Sequence, residues 1–159
     1  IVELLLDQGA DVNAQGSKYG TALQAAARGN EHGIVEFLLG KGADVNSQAG
    51  DYGTALQAAA YRGYREILQL LLDKGADVNA QGGEYGTALQ AAARANERET
   101  VEFLLGKGAD INTQGGEYGT ALQAAALCGH QTMVELLIER EQCQCSRLPN
   151  YKLRRVPLK

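Results

Sequence analysis

The sequence predicts an all-α repeat solenoid of helix-turn-helix units with β-hairpin fingers, on the strength of two recurring motifs. YGTALQAAA begins at Tyr19, Tyr52, Tyr85 and Tyr118, a spacing of 33 residues kept without slippage. GAD(V/I)N begins at Gly9, Gly42, Gly75 and Gly108 with the same spacing. Two motifs locked to one period mark a repeated supersecondary unit, and units this small bury their apolar faces only against their neighbours.

Each element follows from local chemistry, taken here from the copy at 83–115. Thr87 followed three residues later by Gln90 is a capping box, so the first helix begins there. Ala88, Ala91, Ala92 and Ala93 give that helix a smooth surface on which other helices can approach closely, with Leu89 filling the space between layers. At its end the four copies place Asn30, Gly63, Asn96 and Gly129, residues that tolerate the left-handed backbone, so a turn at positive φ is expected. The second helix carries Val101, Phe103, Leu104 and Leu105 with Glu102 facing out, matched by Val35, Phe37, Leu38 and Leu39. Gly108 stops it, and Asp110 and Asn112 open a polar stretch back to Tyr118 that is predicted to form an extended hairpin finger.

Helix, turn, helix and finger at this period, with TALQAAA and GADVN, resemble the ankyrin repeat. The resemblance covers residues 1 to 145: a partial repeat at 1–16 (second helix and finger), repeats at 17–49, 50–82 and 83–115, and a C-terminal repeat lacking its finger at 116–145. A basic tail at 146–159, expected to be poorly ordered, follows. The family's usual Pro after Thr is Ala here, its usual His is Gln (Gln24, Gln57, Gln90, Gln123), and its usual finger-tip Gly is Tyr. Gln keeps the capping box and can still reach backbone across the finger base. Near-identical TALQ copies are similar to the repeat tails of fungal receptor-like proteins that carry a separate nucleotide-binding signalling domain. Because Ile1 falls inside a second helix, the chain is expected to be a monomeric piece of a longer protein.

Composition narrows the chemistry. No apolar run approaches a membrane span, and three cysteines crowded at one end make a poor disulfide framework, so a reducing cytoplasmic setting is expected, with the nucleus as the alternative. The net charge of −4 includes five basic and no acidic residues in 146–159, which leaves −9 on the repeats and argues against nucleic-acid binding by them. Cys128, His130, Cys143 and Cys145 have the composition of a zinc site. However, Cys128 and Cys143 are expected at opposite ends of one helix, about 18 Å apart at 1.5 Å per residue, so no metal is expected. The calcium-like strings at Asp11 and Asp77 put Gln15 and Gln81 at ligand positions and Ala22 and Ala88 where a bidentate Glu is needed. His32 and His130 read as helix-surface residues. No nucleophile is paired with a base by a recognisable motif, and no glycine loop cradles a phosphate, so neither catalysis nor a cofactor is expected.

Residues identical in every copy serve the repeat's own packing, and exposed residues that differ between copies are where a partner can be read. The ankyrin resemblance implies that a protein or peptide partner meets the finger tips and the concave ends of the first helices. Those positions are Lys18, Asp51, Glu84 and Glu117 on the fingers, and Arg28, Tyr61, Arg62, Arg94, Leu127 and Cys128 at the helix ends. The groove is thus expected to be acidic at its rim and basic on its floor, with Tyr61 and Arg62 as exposed central anchors. The identical finger tyrosines are assigned to structural stacking. The competing reading is a regulatory tail that contacts its own enzyme domain.

Overall fold

The computed structural model describes residues 2–16 and 18–146; the basic tail from residue 147 onward lies outside them. Among the described residues the elements are α1 (Val2–Asp7), α2 (Ala22–Arg28), α3 (His32–Gly40), α4 (Ala55–Tyr61), α5 (Arg65–Asp73), α6 (Ala88–Arg94), α7 (Arg98–Gly106), α8 (Ala121–Leu127) and α9 (Gln131–Ser146). Each TALQ helix pairs with the helix that follows it, and α2, α4, α6 and α8 stack on one another in order. The result is an inner layer of two-turn helices backed by an outer layer of longer ones. Helices of seven residues are too short to persist alone, so their stability is supplied by the stack.

The inner layer packs as its sequence anticipates. Ala58, Ala59 and Ala60 in α4 and Ala91, Ala92 and Ala93 in α6 are fully buried, and Leu23, Leu56 and Leu89 fill the space between layers. The outer helices contribute Val35 and Leu38, then Ile67, Leu68 and Leu71, then Val101 and Leu104, then Met133, Leu136 and Leu137. Since Ala92 is fully buried in the helix stack, Ala92→Leu is expected to destabilise the array by about 1–3 kcal/mol through overpacking. A fall in the urea midpoint with unchanged slope checks this.

The capping boxes are present at Thr21, Thr54, Thr87 and Thr120, each with its Gln three residues on. The turns after the inner helices run through positive φ at Asn30, Gly63, Asn96 and Gly129, as expected. The GAD(V/I)N motif has a further role: its Asp side chain accepts from the Asn backbone two residues on, and the Asn side chain reaches the next repeat. Asn46 Nδ2 donates to the Gly75 carbonyl at 3.1 Å, and Asp77 N donates to Asn46 Oδ1 at 2.8 Å. Asn13 and Asn79 repeat this one unit earlier and one unit later. The residues that never vary are therefore staples between units.

The finger departs from expectation. Instead of an extended hairpin, each is a tight turn closed by one antiparallel bridge, at Ala49 with Gly53, Gly82 with Gly86, and Gly115 with Gly119. Glycines at positive φ at both ends of the turn, such as Gly50 and Gly53, curl the chain before a ladder can extend. Adjacent fingers join edge to edge: Asp51 N donates to the Lys18 carbonyl at 3.1 Å, Glu84 N to the Asp51 carbonyl at 2.8 Å, and Glu117 N to the Glu84 carbonyl at 2.9 Å.

Candidate functional site

The finger tyrosines lie back against the inner helices and meet the residue at each helix's C-terminal end. Arg28 ends α2, Tyr61 ends α4, Arg94 ends α6 and Leu127 ends α8. The Arg28 guanidinium lies over the Tyr19 and Tyr52 rings at 5.3 and 5.4 Å, and its Nε donates to the Tyr52 hydroxyl at 2.9 Å. Tyr52 meets Tyr61 edge-on at 5.9 Å, and Tyr61 stacks on Tyr85 at 4.9 Å. Arg94 then lies over Tyr61, Tyr85 and Tyr118 at 5.8, 5.2 and 4.8 Å, and its Nη1 donates to the Tyr61 hydroxyl at 3.3 Å. A ladder of rings punctuated by two guanidinium groups thus runs from Tyr19 to Tyr118. Ring–ring and cation–ring contacts contribute about 0.5–1.5 kcal/mol each, so the ladder also helps to hold the repeats in line.

The electrostatics follow from this packing. The Tyr85 ring is buried, and burial, then Tyr61 and Tyr52, push its hydroxyl up to about 12, which keeps it neutral across the physiological range. The hydrogen bond that Arg28 donates to the Tyr52 hydroxyl favours the charged guanidinium and raises the Arg28 pKa further. Burial pulls Arg94 down, but Tyr118, Tyr85 and Tyr61 outweigh it, and the net shift is upward. The Arg94 Nε is buried with no hydrogen-bond partner among the described residues, its charge facing ring π-systems instead.

The expected site residues divide into two groups. Lys18, Glu84, Glu117, Arg62 and Leu127 are exposed, with Leu127 at 72% exposure. Asp51, Arg28, Tyr61 and Arg94 are half-buried. Tyr61 is thus not the exposed anchor that the sequence suggested: its ring is a rung between Tyr52 and Tyr85, and removing it opens the ladder. Nor is the floor simply basic, because Arg28 and Arg94 are covered by tyrosine faces. A signal for this was present, since an invariant Tyr precedes each helix-end residue by nine positions, as Tyr19 precedes Arg28 and Tyr85 precedes Arg94.

His130 is also not a plain surface residue. It is half-buried in the turn after α8, with Nε2 3.0 Å from the Arg94 carbonyl across the repeat boundary. His32 is exposed at the start of α3. Cys128 caps α8, while Cys143 falls in the last turns of α9, so the helix lies between them as the spacing argument requires. Among the described residues no three His, Cys, Asp or Glu side chains gather as a metal site, and no helix is long and apolar enough to cross a membrane.

No curated protein matches the chain. The family model described as "Ankyrin repeats (3 copies)" matches residues 1–82, 23–115 and 81–149. Those matches run through every copy of the capping box and through every GAD(V/I)N staple, and the chain belongs to the ankyrin-repeat family.

Proposed function

We propose that the array is a protein-interaction scaffold whose finger-side groove binds a peptide or the surface of a folded domain. Ankyrin repeats are generally protein–protein interaction modules. One observation supports the assignment of the face: beside a ladder whose finger tyrosines are identical in every copy, the exposed finger and inner-helix-end positions of Lys18, Arg62, Glu84, Glu117 and Leu127 are filled differently from copy to copy. Lys18, Glu84 and Glu117 offer the rim, Arg62 and Leu127 offer charge and apolar area beside the ladder, and Arg28, Asp51, Tyr61 and Arg94 form the wall behind them. The scaffold is read as monomeric and cytoplasmic, without catalysis, cofactor, metal, nucleic acid or membrane.

The test uses the exposed residues, because substitutions there leave the ladder intact. Arg62→Glu with Leu127→Glu is expected to weaken a captured protein partner by more than about 2 kcal/mol, in the hot-spot range. Reversing Glu84 and Glu117 to Lys is expected to change mainly the association rate and its salt dependence, since rim charges steer more than they hold. Calorimetry and stopped-flow binding against the same partner separate these effects. Full affinity after both sets of changes removes the groove as the site.

The near-identity of the TALQ copies favours a second reading, in which the array is the regulatory or sensor tail of a larger nucleotide-binding signalling protein and contacts its own enzyme domain. A phosphate-binding glycine loop encoded upstream of Ile1, with nucleotide hydrolysis that changes when the array is deleted from that longer protein, is the expected result under this reading.

A further inference from the structure

The finger tips form a row whose step is set by the backbone. Lys18, Asp51, Glu84 and Glu117 hold the same place in successive fingers, 33 residues apart. Asp51 N donates to the Lys18 carbonyl, Glu84 N to that of Asp51, and Glu117 N to that of Glu84. One tip is thus separated from the next by a single hydrogen bond and the backbone of a single residue. Bond lengths limit the N-to-O span of one residue to about 3.6 Å, and with a hydrogen bond of about 2.9 Å the step is at most about 6.5 Å. Alternate side chains of an extended strand lie on one face about 6.6–6.8 Å apart. The row therefore has the pitch of a strand laid along it.

Its charges are left to be met from outside the stack. The row begins on a cation, Lys18, and continues with three carboxylates, of which Glu84 and Glu117 are exposed and Asp51 is half-buried. Among the described residues the ion pairs join Glu102 to Arg98 and Arg140 in the outer layer, and none reaches the row. The helix-end cations behind it are turned elsewhere: Arg28 and Arg94 lie over tyrosine rings and donate to the Tyr52 and Tyr61 hydroxyls. Three like charges at this pitch repel one another, so a cation brought to each relieves a repulsion that the array by itself leaves in place.

We propose, on the groove reading given above, that the partner presents an extended segment with Lys or Arg at alternate positions, one cation meeting each of Asp51, Glu84 and Glu117. Consecutive side chains of a strand point to opposite faces, so only every second one can reach the row. A helix repeats a face every three to four residues, and the line of charges it offers winds around its axis instead of running straight. Lys18 reverses the sign and marks the end of the basic run. The repeats as a whole, with a charge of −9, attract any cation; the alternate spacing is what separates recognition by the row from that general field.

The test uses the full 159-residue chain and three fluorescein-labelled peptides of one composition, each with three lysines in a serine background. The lysines stand at alternate positions, at consecutive positions, or at every fourth position. By fluorescence anisotropy at about 0.05 M salt, where charges are weakly screened, the alternate peptide is expected to bind at least about ten-fold tighter than the other two. The combined change Asp51→Asn, Glu84→Gln and Glu117→Gln, with folding checked by circular dichroism, is expected to weaken it at least about ten-fold, mainly through a slower association that depends less on salt. Glu36→Gln, Glu66→Gln and Glu99→Gln together remove the same charge from exposed positions of the outer helices and are expected to leave the affinity within about two-fold. Equal affinity for the three spacings overturns the proposal, as does an equal loss in the two triple variants or no saturable binding of the alternate peptide. The two readings fail separately. A captured protein partner that depends on Arg62 and Leu127 but binds unchanged when the row is neutralised overturns the basic segment and leaves the groove standing. One indifferent to both sets of residues removes the groove as well.

Discussion

Gln57→Leu is expected to lower the unfolding free energy of the array by about 3 kcal/mol, read as a fall in the urea midpoint. Gln57 is completely buried, and its amide is the junction between two units. Its Oε1 accepts from Thr54 N at the start of α4, and its Nε2 donates to the Ala80 and Gly86 carbonyls of the next finger. Leucine fills a similar volume but strands the Thr54 N–H and the Ala80 carbonyl, each at about 1–3 kcal/mol when buried. The Gly86 carbonyl is less affected, because it also accepts from Gly82 N at 2.9 Å. The same change at Gln123, which caps α8 but engages no further finger, is expected to cost only about 1 kcal/mol, the value of a lost cap. Equal losses at the two positions would mean that the cap, and not the bridge between units, is the stabilising interaction.

Gly86→Ala is expected to be of comparable size, about 3 kcal/mol, for a steric reason. Gly86 has φ +80, and a Cβ there would meet the Gln90 side chain and lie 2.8 and 2.9 Å from the backbone C and O of Gly115 in the following finger. The side-chain contact can relax only by giving up the Gln90 capping bond, and the backbone contact only by parting two fingers. Gly75→Ala supplies the matched control: φ is +90, yet nothing lies within 4 Å of the added Cβ, so only the left-handed strain of about 1–2 kcal/mol applies. Thermal or urea unfolding of the two variants separates conformational strain from close approach. A Gly75 variant as unstable as the Gly86 variant would remove the packing argument.

Local chemistry made most of the architecture legible. The capping boxes, the positive-φ turns at Asn30, Gly63, Asn96 and Gly129, and the alanine faces depend on interactions within a few residues, and the period exposed them four times over. The shortness of the finger was not legible in the sequence, because it depends on glycines at both ends of the turn acting together. Asn46 and Asn79 read as polar loop residues because their partners, Gly75 and Gly108, are 29 residues away.

The candidate groove divides along the same line. Which residues differ between copies is visible in one chain, and Lys18, Arg62, Glu84, Glu117 and Leu127 are exposed. The half-burial of Tyr61, Arg28 and Arg94 was not legible, since each is covered by a ring from a finger of its own or a neighbouring unit. By itself the sequence determined the unit, its period, its two helices and its caps, because those are short-range consequences of residue type. The tertiary structure alone decided which tyrosines and arginines are rungs and which side chains bridge one unit to the next, because both depend on contacts between units that come together only when the array stacks.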